Sequence, residues 1–185
     1  MLALASAHQD QLEILGITTV CGNQDIDKVS RNALSLSDFF GIEAPVAKGM
    51  DRPVVREPEY APETHGEDGI GGCVLPETQR TESRENGILF MQRILKELEK
   101  EEKASIIATG PLTNVALLLR IFPETADKIR EIVFMGGSLS GGNVTDAAEF
   151  NFYEDPEAAR MVLQSGVPLV MCGLDVTEKC TLTRK

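Results

Sequence analysis

The chain has 185 residues, 42% of them hydrophobic, which is enough apolar material for one substantial core and too little for two separate domains. Its 29 acidic against 18 basic residues leave a formal charge of -11, which repels phosphate backbones and anionic headgroups and argues against nucleic-acid or membrane partners. The apolar opening Met1-Leu-Ala-Leu-Ala-Ser-Ala has no basic segment ahead of it, and no run approaches the roughly 18 apolar residues of a membrane span, so neither a signal peptide nor a transmembrane helix is expected.

Leu12 to Val20 is a β-branched apolar run ended by Gly22 and Asn23, the pattern of a strand covered on both faces. From Asp25 to Phe40 the apolar positions Ile26, Val29, Ala33, Leu36 and Phe40 recur at spacings of three and four, and Gly41 supplies the stop of an amphipathic helix. Pro45 to Lys48 suits a short strand. The stretch from Met50 to Arg84, with Pro53, Pro58, Pro62, Pro76 and a glycine-rich piece after His65, reads as a long surface excursion.

Glu85 to Glu102 predicts a helix with Ile88, Met91, Leu95 and Leu98 on its inner stripe and Lys and Glu toward solvent. Ala104 to Thr109 predicts a strand, turned by Gly110-Pro111 into a helix through Arg120, with Pro111 in the first turn where its missing donor costs nothing. A short helical segment leads to a strand at Ile132 to Met135, which Gly136-Gly137 ends. Asp155-Pro156-Glu157 has the cap, proline and early acid of a helix running to Gln164, and Val167 to Cys172 is the last strand.

This alternation predicts an α/β fold, a mostly parallel sheet with helices on both faces and one domain over residues 1–185. Ligands of such sheets bind at the carboxyl ends of the strands, where Asn23, Thr109, Asn143 and Asp175 fall. Cys21, Cys73, Cys172 and Cys180 are scattered without a C-x-x-C pair, as expected of reduced thiols in a cytoplasmic protein. With His8 and His65 as the only histidines, an H-E-x-x-H zinc site is excluded. The nucleophile elbow, the dinucleotide glycine pattern and the P-loop are absent as well.

Three segments carry more: Gly16-Ile-Thr-Thr-Val-Cys-Gly-Asn23, Ala108-Thr-Gly-Pro-Leu-Thr-Asn114, and Phe134-Met-Gly-Gly followed by Gly142-Asn-Val-Thr-Asp-Ala-Ala-Glu-Phe-Asn151 and Asp155-Pro-Glu. In this order they resemble the inosine-uridine preferring nucleoside hydrolase family. The likeness runs from Met1 to Leu182 and takes in Arg31-Asn32-Ala33, His65-Gly-Glu-Asp-Gly and Leu174-Asp-Val-Thr. It implies a Rossmann-like nucleoside hydrolase core and a hydrolase that cleaves the N-glycosidic bond of a ribonucleoside to ribose and free base, by attack of water assisted by calcium (Ca2+).

Glu149 and Asn151 lie two apart, which in an extended segment projects both side chains the same way. A carboxylate that accepts and an amide that donates and accepts can together replace the water around ribose hydroxyls. Apart from the resemblance, the same stretch reads as a polar loop capping the helix that starts at Asp155. The resemblance implies that Asn143, Glu149 and Asn151 bind ribose and that Asn23 and Met135 border the sugar. It also implies that His65 lies on a loop closing over the nucleoside and that the Thr109 backbone carbonyl ligates the calcium ion, as suits a hard cation.

The family's opening pattern D-x-D-x-x-x-D-D, whose aspartates supply calcium ligands and the general base, does not occur here. No catalytic residue is therefore assigned, and the domain reads as incomplete and lacking the family's first strand. Calcium is not expected to be held by this chain alone, and turnover by it is in doubt. The unpaired sheet positions predict a homo-oligomer. The alternative function is a non-catalytic ribose-binding or interaction protein built on the same fold.

Overall fold

The computed structural model describes residues 1–181, so Leu182, the last residue of the resemblance, lies outside the described residues. After a short helix α1 (Leu2–Ser6), only Ile17–Thr19 of the expected first strand is paired, as β1. Its partner β2 (Val46–Lys48) is itself three residues long, and the parallel register Ile17 to Val46 uses all of it. Between them runs α2 (Ile26–Phe39), opened by the Asp25 carboxylate accepting the Lys28 amide at 2.9 Å and followed by Gly41 at φ +63, as its sequence predicts.

The excursion contains one turn of helix, α3 (Pro62–His65), and gives way to α4 (Gly87–Glu97), whose Asn86 cap accepts the Ile88 amide. Helix α4 stops short of the expected Glu102 because Leu98 turns extended. Next come β3 (Ala104–Ala108) and α5 (Thr113–Ile121). Pro111 precedes the Leu112 cap instead of filling the first turn, a shift of the size that helix ends commonly show. A 3-10 segment at Pro123–Lys128 leads to β4 (Ile129–Met135), longer at its start than expected. Two short helices, α6 (Phe150–Glu154) and α7 (Pro156–Leu163), precede β5 (Leu169–Cys172) and α8 (Leu174–Thr177).

The fold is α/β with parallel strands, divided into a β1-β2 pair and a three-stranded sheet ordered β3-β4-β5. The first sheet has helices on both faces: Thr19 meets Ser30 of α2 at 2.7 Å between hydroxyl oxygens, while the Thr18 hydroxyl reaches the Met91 sulfur of α4. In the second sheet Ile132 and Phe134 point into a core with Val115 and Leu118 of α5 and Ala158 and Val162 of α7. Its other face is open. Ile107, Val133 and Val170 lie in one row across the three strands, with Ile107 55% and Val170 44% exposed.

Asn114 joins the two sheets. Its Nδ2 donates to the Thr19 carbonyl at 2.8 Å and its Oδ1 accepts the Met50 amide at 2.9 Å, so one buried amide side chain satisfies backbone groups at the ends of β1 and β2. The backbone of Gly49 runs so close to this amide that any side chain there would collide with it.

Candidate functional site

Strand β4 ends at Met135, and the turn that follows needs Gly137 at φ +67, a conformation L side chains rarely adopt. That turn aims the Gly137 amide at Glu149, whose Oε2 accepts it at 2.9 Å and also accepts the Phe152 amide at 3.3 Å. Glu149 is thus the N-cap of α6, and the neighbouring Asn143 Oδ1 accepts the Phe150 amide at 2.9 Å. Phe152 locks this corner by stacking on Phe134 of β4, ring centroids 5.8 Å apart.

The expected extended run through Glu149 and Asn151 is therefore corrected: Glu149 has extended backbone, but Asn151 lies inside α6. The free amides at a helix start need acceptors, and Glu149 and Asn143 provide them. The polar-loop reading thus has a real counterpart, at α6 instead of at the Asp155 helix. The two side chains converge by a different route, because α6 stands over the end of β4. Asn151 Nδ2 donates to the Met135 carbonyl at 3.0 Å, with the Met135 sulfur at 3.2 Å, and reaches the Thr109 carbonyl at 3.5 Å.

Glu149 and Asn151 are 2% and 6% exposed, so this is a buried polar centre at the carboxyl ends of β3 and β4. Among the described residues Glu149 Oε1 accepts no hydrogen bond. Asn23 reaches the same end of the molecule: the neighbouring Gly22 packs against the Pro111 ring, two residues beyond Thr109. The Asn23 carbonyl accepts the Ala61 amide at 3.0 Å, tying it to the excursion.

The structure thus gathers Thr109, Met135, Glu149 and Asn151 and sets Asn143 as a brace of α6, while Asn23 is bonded to the excursion and not to them among the described residues. His65 is exposed at the end of α3; its carbonyl accepts the Gly71 amide, and among the described residues no hydrogen bond joins its side chain to the others. An open depression of about 690 Å³ lined by residues such as Leu12, Ile14 and Ile42 lies before β1 and β2, at the opposite strand ends from these polar groups.

Sequence reasoning missed Glu154 and the stabilising role of Asp155 beyond its cap. Glu154 is fully buried and accepts the Glu59 amide at 3.1 and 3.2 Å on its two oxygens. Burial, with the Glu59 and Asp155 charges adding to it against the opposing Glu59 amide, pushes its carboxyl up to about 7. Asp155 accepts the Ala158 amide at 3.0 Å, the Thr113 hydroxyl at 2.6 Å and the Val54 amide at 3.0 Å. Nothing in the local pattern marks Glu154 as buried, since its partner is 95 residues away. Cys21, also buried, has its thiol pushed up to about 12 by burial first and by Glu154, Asp51 and Asp155 next, which makes it unreactive.

A calcium ion takes six to eight oxygen ligands, usually several of them carboxylate. Around Thr109 the chain offers one carbonyl, already approached by the Asn151 amide, and among the described residues no three His, Cys, Asp or Glu side chains group as metal ligands. The donor set present here does not by itself fit calcium.

A family model described as inosine-uridine preferring nucleoside hydrolase matches residues 1–185. The chain is 46% identical over 183 residues to the pyrimidine-specific ribonucleoside hydrolase RihA of Citrobacter koseri, covering 98% of this chain and 57% of that protein. It is 43% identical to the non-specific ribonucleoside hydrolase RihC of Escherichia fergusonii, covering 98% of this chain and 60% of that protein. Among solved structures, the purine-preferring ribonucleoside hydrolase from Gardnerella vaginalis superposes with a TM-score of 0.90 at 35% identity, over 98% of this chain and 59% of that one. The chain therefore spans a little over half the length of the relatives it matches.

Proposed function

The chain belongs to the inosine-uridine preferring nucleoside hydrolase family, and from that membership we propose that it serves the hydrolysis of ribonucleosides to ribose and free base by forming the ribose-binding side of the site. The observation that carries the reading is the buried Glu149 and Asn151 pair at the ends of β3 and β4, beside the Thr109 carbonyl. Glu149 accepts from a ribose hydroxyl through the oxygen that α6 does not use, and Asn151 donates and accepts beside it. Asn143 fixes the helix start, Asn23 and Met135 border the sugar, and His65 reaches the nucleoside from the excursion.

The relatives differ in nucleobase, their names reading pyrimidine-specific, non-specific and purine-preferring. What their names share is the ribonucleoside, which supports sugar recognition as the duty of this site. No step is assigned to calcium on this chain, because the donors around Thr109 do not fit it. That same shortage favours the second reading, a ribose-binding protein without turnover.

Calorimetry with ribose and with purine and pyrimidine nucleosides, with and without calcium, tests both readings alongside an assay for released base. Ribose and nucleoside binding supports the site in either reading; base release that depends on calcium selects the hydrolase, and calcium-independent binding without release selects the binding protein. Absence of any sugar binding contradicts both. A homo-oligomer in the cytoplasm completes the proposal, supported by the open apolar row on the second sheet and by four free cysteines.

A further inference from the structure

Residues 54–59 of the excursion are fastened to one corner of the molecule, Tyr153-Glu154-Asp155. The Val54 amide donates to Asp155 and the Glu59 amide to both oxygens of Glu154. The Arg56 guanidinium donates to the Tyr153 carbonyl at 3.0 Å and stands over the Tyr153 ring, 5.7 Å from its centroid, while the Tyr153 hydroxyl meets the Glu59 carboxylate at 3.3 Å. Immediately beyond, Ala61 donates to the Asn23 carbonyl, the Gln24 side chain donates to Gly66 at 2.9 Å and Asn32 to Asp68 at 2.7 Å. The excursion is thus stitched to α6 at one end and to the α2 side at the other, spanning two sheets that share no backbone ladder.

We propose that Glu154 is a positioning residue: it latches the 54–61 segment to the helix that carries Asn151, so that the sugar pocket and the wall bearing Asn23 and His65 are set by one buried carboxyl. Asn151 and Glu154 are three apart on α6, so what fixes Glu154 also fixes the amide that reaches Met135 and Thr109. The inference rests on the proposed ribose site for its purpose, though not for the latch itself.

The latch is also sensitive to protons. A neutral Glu154 is cheap to bury and can still accept the Glu59 amide, whereas an ionised one sits desolvated beside the charges of Glu59 and Asp155, which the Glu59 amide and the Arg56 guanidinium offset only in part. Docking of the segment should therefore be firmest below about 4.5, weaken as pH rises from there to about 7, and change no further above it.

Amide hydrogen exchange on the full chain, corrected for intrinsic rates, tests this in the wild type, Glu154→Gln and Glu154→Ala between about pH 4 and pH 9. Protection of the 54–61 amides should fall in the wild type between about pH 4.5 and pH 7 and level off above, stay high and flat in Glu154→Gln, and drop roughly tenfold or more at every pH in Glu154→Ala, while β3 and β4 keep theirs. A Gln variant that titrates like the wild type, or an Ala variant with the segment still protected, overturns the latch. If β3 and β4 also lose protection in the Ala variant, it is unfolded and the Gln profile alone decides. Ribose calorimetry on the same samples separates the two levels: affinity tracking the exchange profile supports the positioning role, affinity indifferent to it overturns that role, and a wild type that binds no ribose refutes the site while the exchange data still judge the latch.

Discussion

One oxygen of Glu149 is committed to the chain, holding the Gly137 and Phe152 amides, and this explains why a residue type suited to ribose sits in a short helix cap. The residue types of the proposed site stand out in the sequence; the geometry that brings Glu149 and Asn151 together does not. A helix of five residues is too short to show a hydrophobic period, and the cap that starts it is a glutamate, outside the usual Ser, Thr, Asp and Asn set. Replacing Glu149 by Gln keeps an acceptor for the cap but removes the charge, so melting should move little while ribose affinity weakens roughly tenfold to a hundredfold, the equivalent of about 1.5–3 kcal/mol for a charge-assisted hydrogen bond. Calorimetry and a thermal melt on the same sample separate the two effects. The cysteines give an independent check: exposed Cys73 and Cys180 should react with a thiol reagent in the native state, and Cys21 only on unfolding, as peptide mapping would show.

Elements with their own punctuation were read to the residue. Helix α2 lies between Asp25 and Gly41 because a side-chain cap and a left-handed glycine are local chemistry, written where they act. Strand β1 was read too long because its length is set by β2, and α4 too long because Leu98 leaves the helix while its neighbours still have helical composition. Asn114, one polar residue in the segment 108–114, ties β1, β2 and α5 together through Thr19 and Met50. Asn114→Ala leaves the Met50 amide without its acceptor while the Thr19 carbonyl keeps the Gly49 amide, so a loss of roughly 1–3 kcal/mol is expected in denaturant unfolding. The pH dependence belongs at this scale too. Glu154 binds its proton more tightly in the folded chain than its ordinary carboxyl value of 4.5, so the stability it contributes is complete below that value and is lost as pH rises through about 7. Unfolding midpoints should fall across that window in the wild type and fall less in Glu154→Gln.

At the scale of the whole molecule, strand and helix alternation made the α/β class legible, whereas the division into two sheets was not, because a strand's local pattern does not name its neighbour. The open face of the second sheet likewise has no signature: Ile107, Val133 and Val170 read as ordinary buried strand residues, and only the register puts them in one exposed row. Such a row favours association. Sedimentation should show concentration-dependent self-association that a double Ile107→Lys, Val170→Lys variant reduces; identical monomeric behaviour of both would remove the oligomer from the account. Sugar is expected to meet the protein at the carboxyl ends of β3 and β4. Titrating ribose into isotope-labelled chain and mapping the amide shifts tests it most directly: the account predicts the largest changes at Thr109, Met135, Gly137 and Phe152, around the Glu149 and Asn151 side chains, and changes confined to the depression around Leu12 and Ile42, or none at all, would contradict it.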